Sequence, residues 1–93
     1  MATRILIPTP LRSLTDKNAA VIAEGATVGE LLNQLTTNYT ALKHHLYADD
    51  GTLRQFVNVY VNNEDIRYLK QEKTPVTEHD TVSIIPSIAG GRI

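Results

Sequence analysis

The cleanest alternation of apolar and polar positions in the chain is Phe56-Val57-Asn58-Val59-Tyr60-Val61. A period of two over β-branched and aromatic residues predicts a strand with one face in a core. Val57, Val59 and Val61 are expected on the covered face and Phe56, Asn58 and Tyr60 on the other. Thr3 to Ile7 has the same period, with Thr3, Ile5 and Ile7 on one side and Arg4 and Leu6 on the other. It stops at Pro8, so it reads as a strand running into an irregular loop. Ala19 to Ala23, after the polar stretch Ser13 to Asn18, is expected to pair antiparallel with it. Thr81 to Ile85 is the last strand, with Val82 and Ile84 inward.

Between these strands the period lengthens. Thr27 and Glu30 are spaced as a capping box, in which the hydroxyl accepts from a first-turn amide and the carboxylate reaches back. Val28, Leu31, Leu32 and Leu35 then recur at helical spacing, so one face is apolar and the other wet. Asn38 and Tyr39 end this helix, and Ala41 to Tyr47 reads as a second, short helical segment before the turn at Asp50-Gly51. Asn62 to Asp65 is turn chemistry, Ile66-Arg67-Tyr68 a short strand, and Lys70 to His79, charged and holding Pro75, a surface connection. The order predicts an α+β domain over residues 1–86, a mixed sheet of four or five strands on one main helix. With the first and last strands parallel neighbours joined by a right-handed crossover, this is the β-grasp arrangement. Residues 87–93 are expected to form a flexible tail.

Composition narrows the chemistry. A chain of 93 residues makes one domain, too small for a multidomain enzyme. A formal charge of -1 with scattered basic residues gives no footprint for nucleic acid. Without cysteine there is no disulfide, thiolate nucleophile or cysteine-ligated metal. No signal peptide or membrane span is evident, and the expectation is a cytoplasmic protein with no membrane partner. His44 and His45 are adjacent and diverge on a helix, with His79 remote, so no metal site is expected. Asp49-Asp50-Gly51 fits a turn better than a calcium loop, whose further ligands are missing. Glu64-Asp65 lacks a nearby base or nucleophile.

Two features remain. Leu6, Phe56, Tyr60 and Ile85 form an expected apolar patch on the sheet face away from the helix, and contiguous apolar surface marks interfaces. After Pro86 comes Ser87-Ile88-Ala89-Gly90-Gly91-Arg92-Ile93, whose diglycine carries no side chain to obstruct a narrow channel. Extended, the stretch from Pro86 to Gly91 reaches on the order of 17 Å, enough to enter a buried pocket on another protein.

The run Phe56 to Arg67, followed by Ser83-Ile84-Ile85-Pro86-Ser87-Ile88-Ala89-Gly90-Gly91, resembles the ubiquitin-like small sulfur carriers, the family of the molybdopterin-synthase small subunit and the thiamine-pathway carrier. The similarity covers nearly the whole chain, including Ile7-Pro8-Thr9, and within the family is greatest to the actinobacterial carrier of cysteine biosynthesis. It implies a protein substrate rather than an enzyme, with no bound cofactor. Gly91 would be adenylated by an E1-like enzyme using ATP and magnesium, then converted to a thiocarboxylate by a sulfur donor. Ser87, Ile88, Ala89 and Gly90 would lie in the partner's channel, and a cysteine-synthase-like enzyme is the favoured sulfur acceptor. Molybdopterin and thiamine synthesis are alternative destinations. A modifier joined through Gly91 to lysines, or a constitutive small subunit of a molybdopterin-synthase-like complex, would use the same fold. The chain departs from active family members at Arg92 and Ile93, which follow the second glycine and keep Gly91 in a peptide bond. A processing protease is therefore expected to remove them.

Overall fold

In a computed structural model of the chain, which describes residues 2–55 and 57–86, five strands form one mixed sheet. They are β1 (Ala2–Leu6), β2 (Ala20–Glu24), β3 (Val57–Val61), β4 (Glu64–Asp65) and β5 (Thr81–Pro86), in the spatial order β2-β1-β5-β3-β4. β1 and β2 are antiparallel, as expected, with Ile5 opposite Val21. β5 runs parallel to β1 and antiparallel to β3, with Ile5 beside Val82 and Val59 beside Ile84. The strand carrying the last apolar run is thus the middle of the sheet.

The main helix, α1 (Val28–Asn38), begins where the capping box places it. Thr27 Oγ1 accepts from the Glu30 amide at 3.3 Å, and Glu30 Oε1 accepts from the Ala26 amide at 2.8 Å. Val28, Leu31, Leu32 and Leu35 lie wholly buried against Ile5, Ile7, Val59, Val82 and Ile84 from the inner sheet face. A 3-10 turn, Thr40–Leu42, and a short α2 (Lys43–Leu46) add Leu42 and Leu46 to this core.

Three sequence expectations are corrected. Ile66–Tyr68 is a 3-10 turn, not a strand, and the short strand is Glu64–Asp65, which the sequence suggested as part of the turn. Asn62 takes a left-handed φ of 58°, so two residues suffice to reverse the chain, and pairing resumes with Val61 opposite Glu64. Asp65 Oδ1 then accepts from the Arg67 amide at 2.9 Å, capping the 3-10 turn. The loop after β1 is likewise ordered, as a 3-10 helix over Thr9–Leu14 that buries Leu11, with Pro10 in its first turn.

The third correction is the charged connection of residues 70–79, which is more than a surface link. Thr74 and Val76 are buried. The Val28 amide donates to the Thr74 carbonyl and the Val76 amide to the Ala26 carbonyl, each at 3.0 Å. The segment straps the start of α1 and satisfies backbone groups that a helix end leaves open. Gly29 permits this approach, since a Cβ there would sit 3.1 Å from the Glu72 carbonyl oxygen.

Candidate functional site

Because β5 pairs on both sides, the strand that leads to the diglycine is held firmly: Ser83 lies between Leu6 and Tyr60, and Pro86 is opposite Val57. On the outward face Leu6, Ser83 and Tyr60 form one row across three strands, and Ile85 projects two residues beyond Ser83 along β5. Leu6 is 38% exposed and Ile85 48%, while Tyr60 is half-buried. Three members of the expected patch therefore share a face. Phe56, and the tail residues Ser87, Ile88, Ala89, Gly90, Gly91, Arg92 and Ile93, lie outside the described residues.

The structure adds Ile22, 60% exposed and paired with Arg4 on the same face. The signal for it was available: once β2 is aligned antiparallel to β1, period two puts Ile22 outward, like Leu6.

At the β3–β4 edge stands an ion pair that sequence reasoning missed. Arg67 Nη2 lies 2.7 Å from Asp65 Oδ2, and Arg67 Nε lies 3.2 and 3.1 Å from the two carboxylate oxygens. These hydrogen bonds hold the Asp65 carboxyl below its ordinary range and push the Arg67 guanidinium above its own. A second network joins the β3–β4 turn to the start of β5. Asn62 Nδ2 donates to Asp80 Oδ1 at 3.0 Å, Asn62 Oδ1 accepts from the Thr81 amide at 3.1 Å, and Asp80 Oδ2 accepts from the Thr77 amide at 2.8 Å. The Asn62 bond is the main reason that the Asp80 carboxyl is lowered.

The helical side carries an open groove of about 840 Å³, with His44, Tyr47 and Glu72 among its lining. Burial, aided by the nearby Glu72, pushes the Tyr47 phenol up to about 12, so it stays neutral near pH 7. Asp50 Oδ1 accepts from the Thr52 amide and hydroxyl at 3.0 and 2.7 Å, the geometry of a turn. Among the described residues, no group of three or more His, Asp or Glu could hold a metal, and no helix is long and apolar enough to cross a membrane. The outward face thus combines exposed apolar side chains with polar ones, and the Asp65–Arg67 pair stands at the β3–β4 edge.

A ubiquitin-like β-grasp domain whose central strand leads in sequence into a diglycine defines a class of carrier and modifier proteins. The chain belongs to the ThiS family, the ubiquitin-like small sulfur carriers, with the family model matching residues 5–91. It is 38% identical over 93 residues to the sulfur carrier protein CysO of Mycobacterium tuberculosis, an alignment covering 98% of this chain and 100% of that protein. Its fold matches a chain in the crystal structure of the Amycolatopsis orientalis BexX/CysO complex with a TM-score of 0.85 and 37% identity, over 96% of this chain and 99% of that one. The small archaeal modifier protein 3 of Haloferax volcanii is 34% identical over 70 residues, 75% of each chain.

Proposed function

We propose that this protein carries sulfur on Gly91, as a substrate of partner enzymes in the cytoplasm. The supporting observation is the likeness to CysO over nearly the full length of both chains, together with a family match that runs to Gly91 and leaves out Arg92 and Ile93. A protease first hydrolyses the Gly91–Arg92 bond. A carboxylate oxygen of Gly91 then attacks the α-phosphorus of magnesium-bound ATP in an E1-like enzyme, and pyrophosphate leaves. Hydrosulfide from a sulfur donor adds to the acyl carbon and AMP departs, which leaves a thiocarboxylate. Its sulfur then displaces the leaving group of an activated serine derivative in a cysteine-synthase-like enzyme.

Activation first requires docking, and the outward face with Leu6, Tyr60, Ile85 and Ile22 suits that role. Phe56 is the remaining member of the expected patch. Mass spectrometry of protein from its native cell tests the reading: the expected species ends at Gly91, and a fraction of it has one oxygen exchanged for sulfur. Finding only the form ending in Ile93 would leave the carrier without its reactive group. The similarity to a small archaeal modifier protein favours a second reading, conjugation through Gly91 to lysines, and lysine-linked adducts in the same experiment would establish it.

A further inference from the structure

We propose that Arg67 and Tyr68 extend the outward docking face around the β3–β4 edge, as a rigid rim that receives an acidic side chain of the partner enzyme. The inference rests on the reading above, that this face docks an activating enzyme. Tyr60 belongs both to that face and to a recess of about 350 Å³ lined by Tyr60, Asn63, Glu64, Asp65, Arg67 and Tyr68, so the two surfaces are continuous.

The side chain of Arg67 is 59% exposed, whereas that of Asp65 is 6% exposed. An exposed arginine ordinarily has wide rotamer freedom. Here the Asp65 carboxylate holds both the Arg67 amide and its guanidinium, so much of that freedom is gone before a partner arrives and the ordering cost of association falls. Asp65 uses Nε–H and one Nη2–H. Both hydrogens of Nη1 and the second of Nη2 remain directed away from it, and a guanidinium only donates. Their natural complement is a carboxylate, which takes two parallel N–H bonds from this planar edge. Tyr68, 83% exposed beside it, offers an aromatic body with a polar tip. Arginine and tyrosine around an apolar centre are the residues that interfaces favour.

Two carboxylates of the recess oppose this assignment: Asp65, which is already paired with Arg67, and its neighbour Glu64, which supplies the discriminating variant. ATP–pyrophosphate exchange is measured with the E1-like enzyme of the source cell and increasing concentrations of carrier ending at Gly91. Arg67→Lys keeps a cation for Asp65 but loses the fork, and Tyr68→Ala alters an exposed side chain. Each is expected to raise KM roughly fivefold to tenfold with kcat unchanged. Removing the repulsive charge with Glu64→Gln should lower KM about twofold. Melting temperatures equal to that of the unsubstituted protein confirm that each variant is folded. An unchanged KM for both Arg67→Lys and Tyr68→Ala overturns the rim alone and leaves the carrier reading standing. A higher KM with Glu64→Gln also overturns it, because the recess would then receive a cation. If the unsubstituted carrier supports no exchange, the activation reading fails and the rim fails with it.

Discussion

Ile84 and Ile85 are neighbours in β5 whose side chains meet opposite surroundings. Ile84 is buried beneath α1, with Val59 as its cross-strand partner. Ile85 projects to the other face, which also carries Leu6, Tyr60 and Ile22. Packing explains the inner face fully, since burying an aliphatic side chain stabilises the fold by about 1.5–3 kcal/mol. It does not explain the outer one, where polar residues would serve a lone domain better. With the docking role proposed above, the two faces of one sheet separate what folding requires from what a partner would require.

The largest expected effect breaks the inner face. Ile84→Ala should destabilise the domain by about 2–5 kcal/mol, read as a lower midpoint in urea unfolding. On the outer face, Leu6→Ser combined with Ile85→Ser should weaken binding to the activating enzyme by about tenfold or more, roughly 1.4 kcal/mol upward. The unfolding midpoint should barely move, and a large drop would mean that this face is structural. Tyr60→Ser, with or without Phe56→Ser, should act in the same direction.

Two positions at the start of α1 give smaller losses. At Gly25 a Cβ would lie 2.8 Å from Glu30 Cβ and 3.0 Å from the Leu31 amide nitrogen, so Gly25→Ala should cost about 1–3 kcal/mol as α1 shifts. Thr27→Ala removes the cap and should cost about 1 kcal/mol. Thermal unfolding of the pair ranks them.

The smallest effect belongs to neither face. Asp65 and Asp80 are lowered in the folded state, so the folded protein binds fewer protons than the unfolded chain in the acid range. Their contribution is fully present above the ordinary carboxylate pKa of about 4 and is lost as pH falls through the lower folded values. Asp80→Asn and Asp65→Asn should flatten the decline in melting temperature below about pH 4. An unaltered acid profile would show that other carboxylates govern it.

The inner face was legible because period two and the helical spacing of Val28, Leu31, Leu32 and Leu35 agree on one core. Leu6, Tyr60 and Ile85 followed from the same alternation, read for the opposite side. Ile22 needed the register of β2 against β1, which the alternation of either strand alone does not fix. The strap around α1 was hidden because Lys70, Glu72 and Lys73 dominate its composition, while Thr74 and Val76 owe their burial to a helix distant in sequence. The sequence pattern assigns Asp65 to a turn and Arg67 to a strand, so it gives their side chains no shared geometry. Their contact depends on the left-handed Asn62, which turns the chain early enough to make Asp65 a cap.

The parallel pairing of β1 with β5 also governs when the domain can exist. A nascent chain can form the β1–β2 hairpin and α1 early, but the sheet stays split until residues 81–86 emerge and fill the gap between β1 and β3. Pairing between sequence-distant strands is intrinsically slow, because loop-closure entropy must be offset before the contacts form. Because β5 also supplies Ser83 and Ile85 to the outward face, a chain that lacks β5 lacks the middle of that face as well. The strand that leads in sequence to the diglycine is therefore the one whose arrival completes the domain.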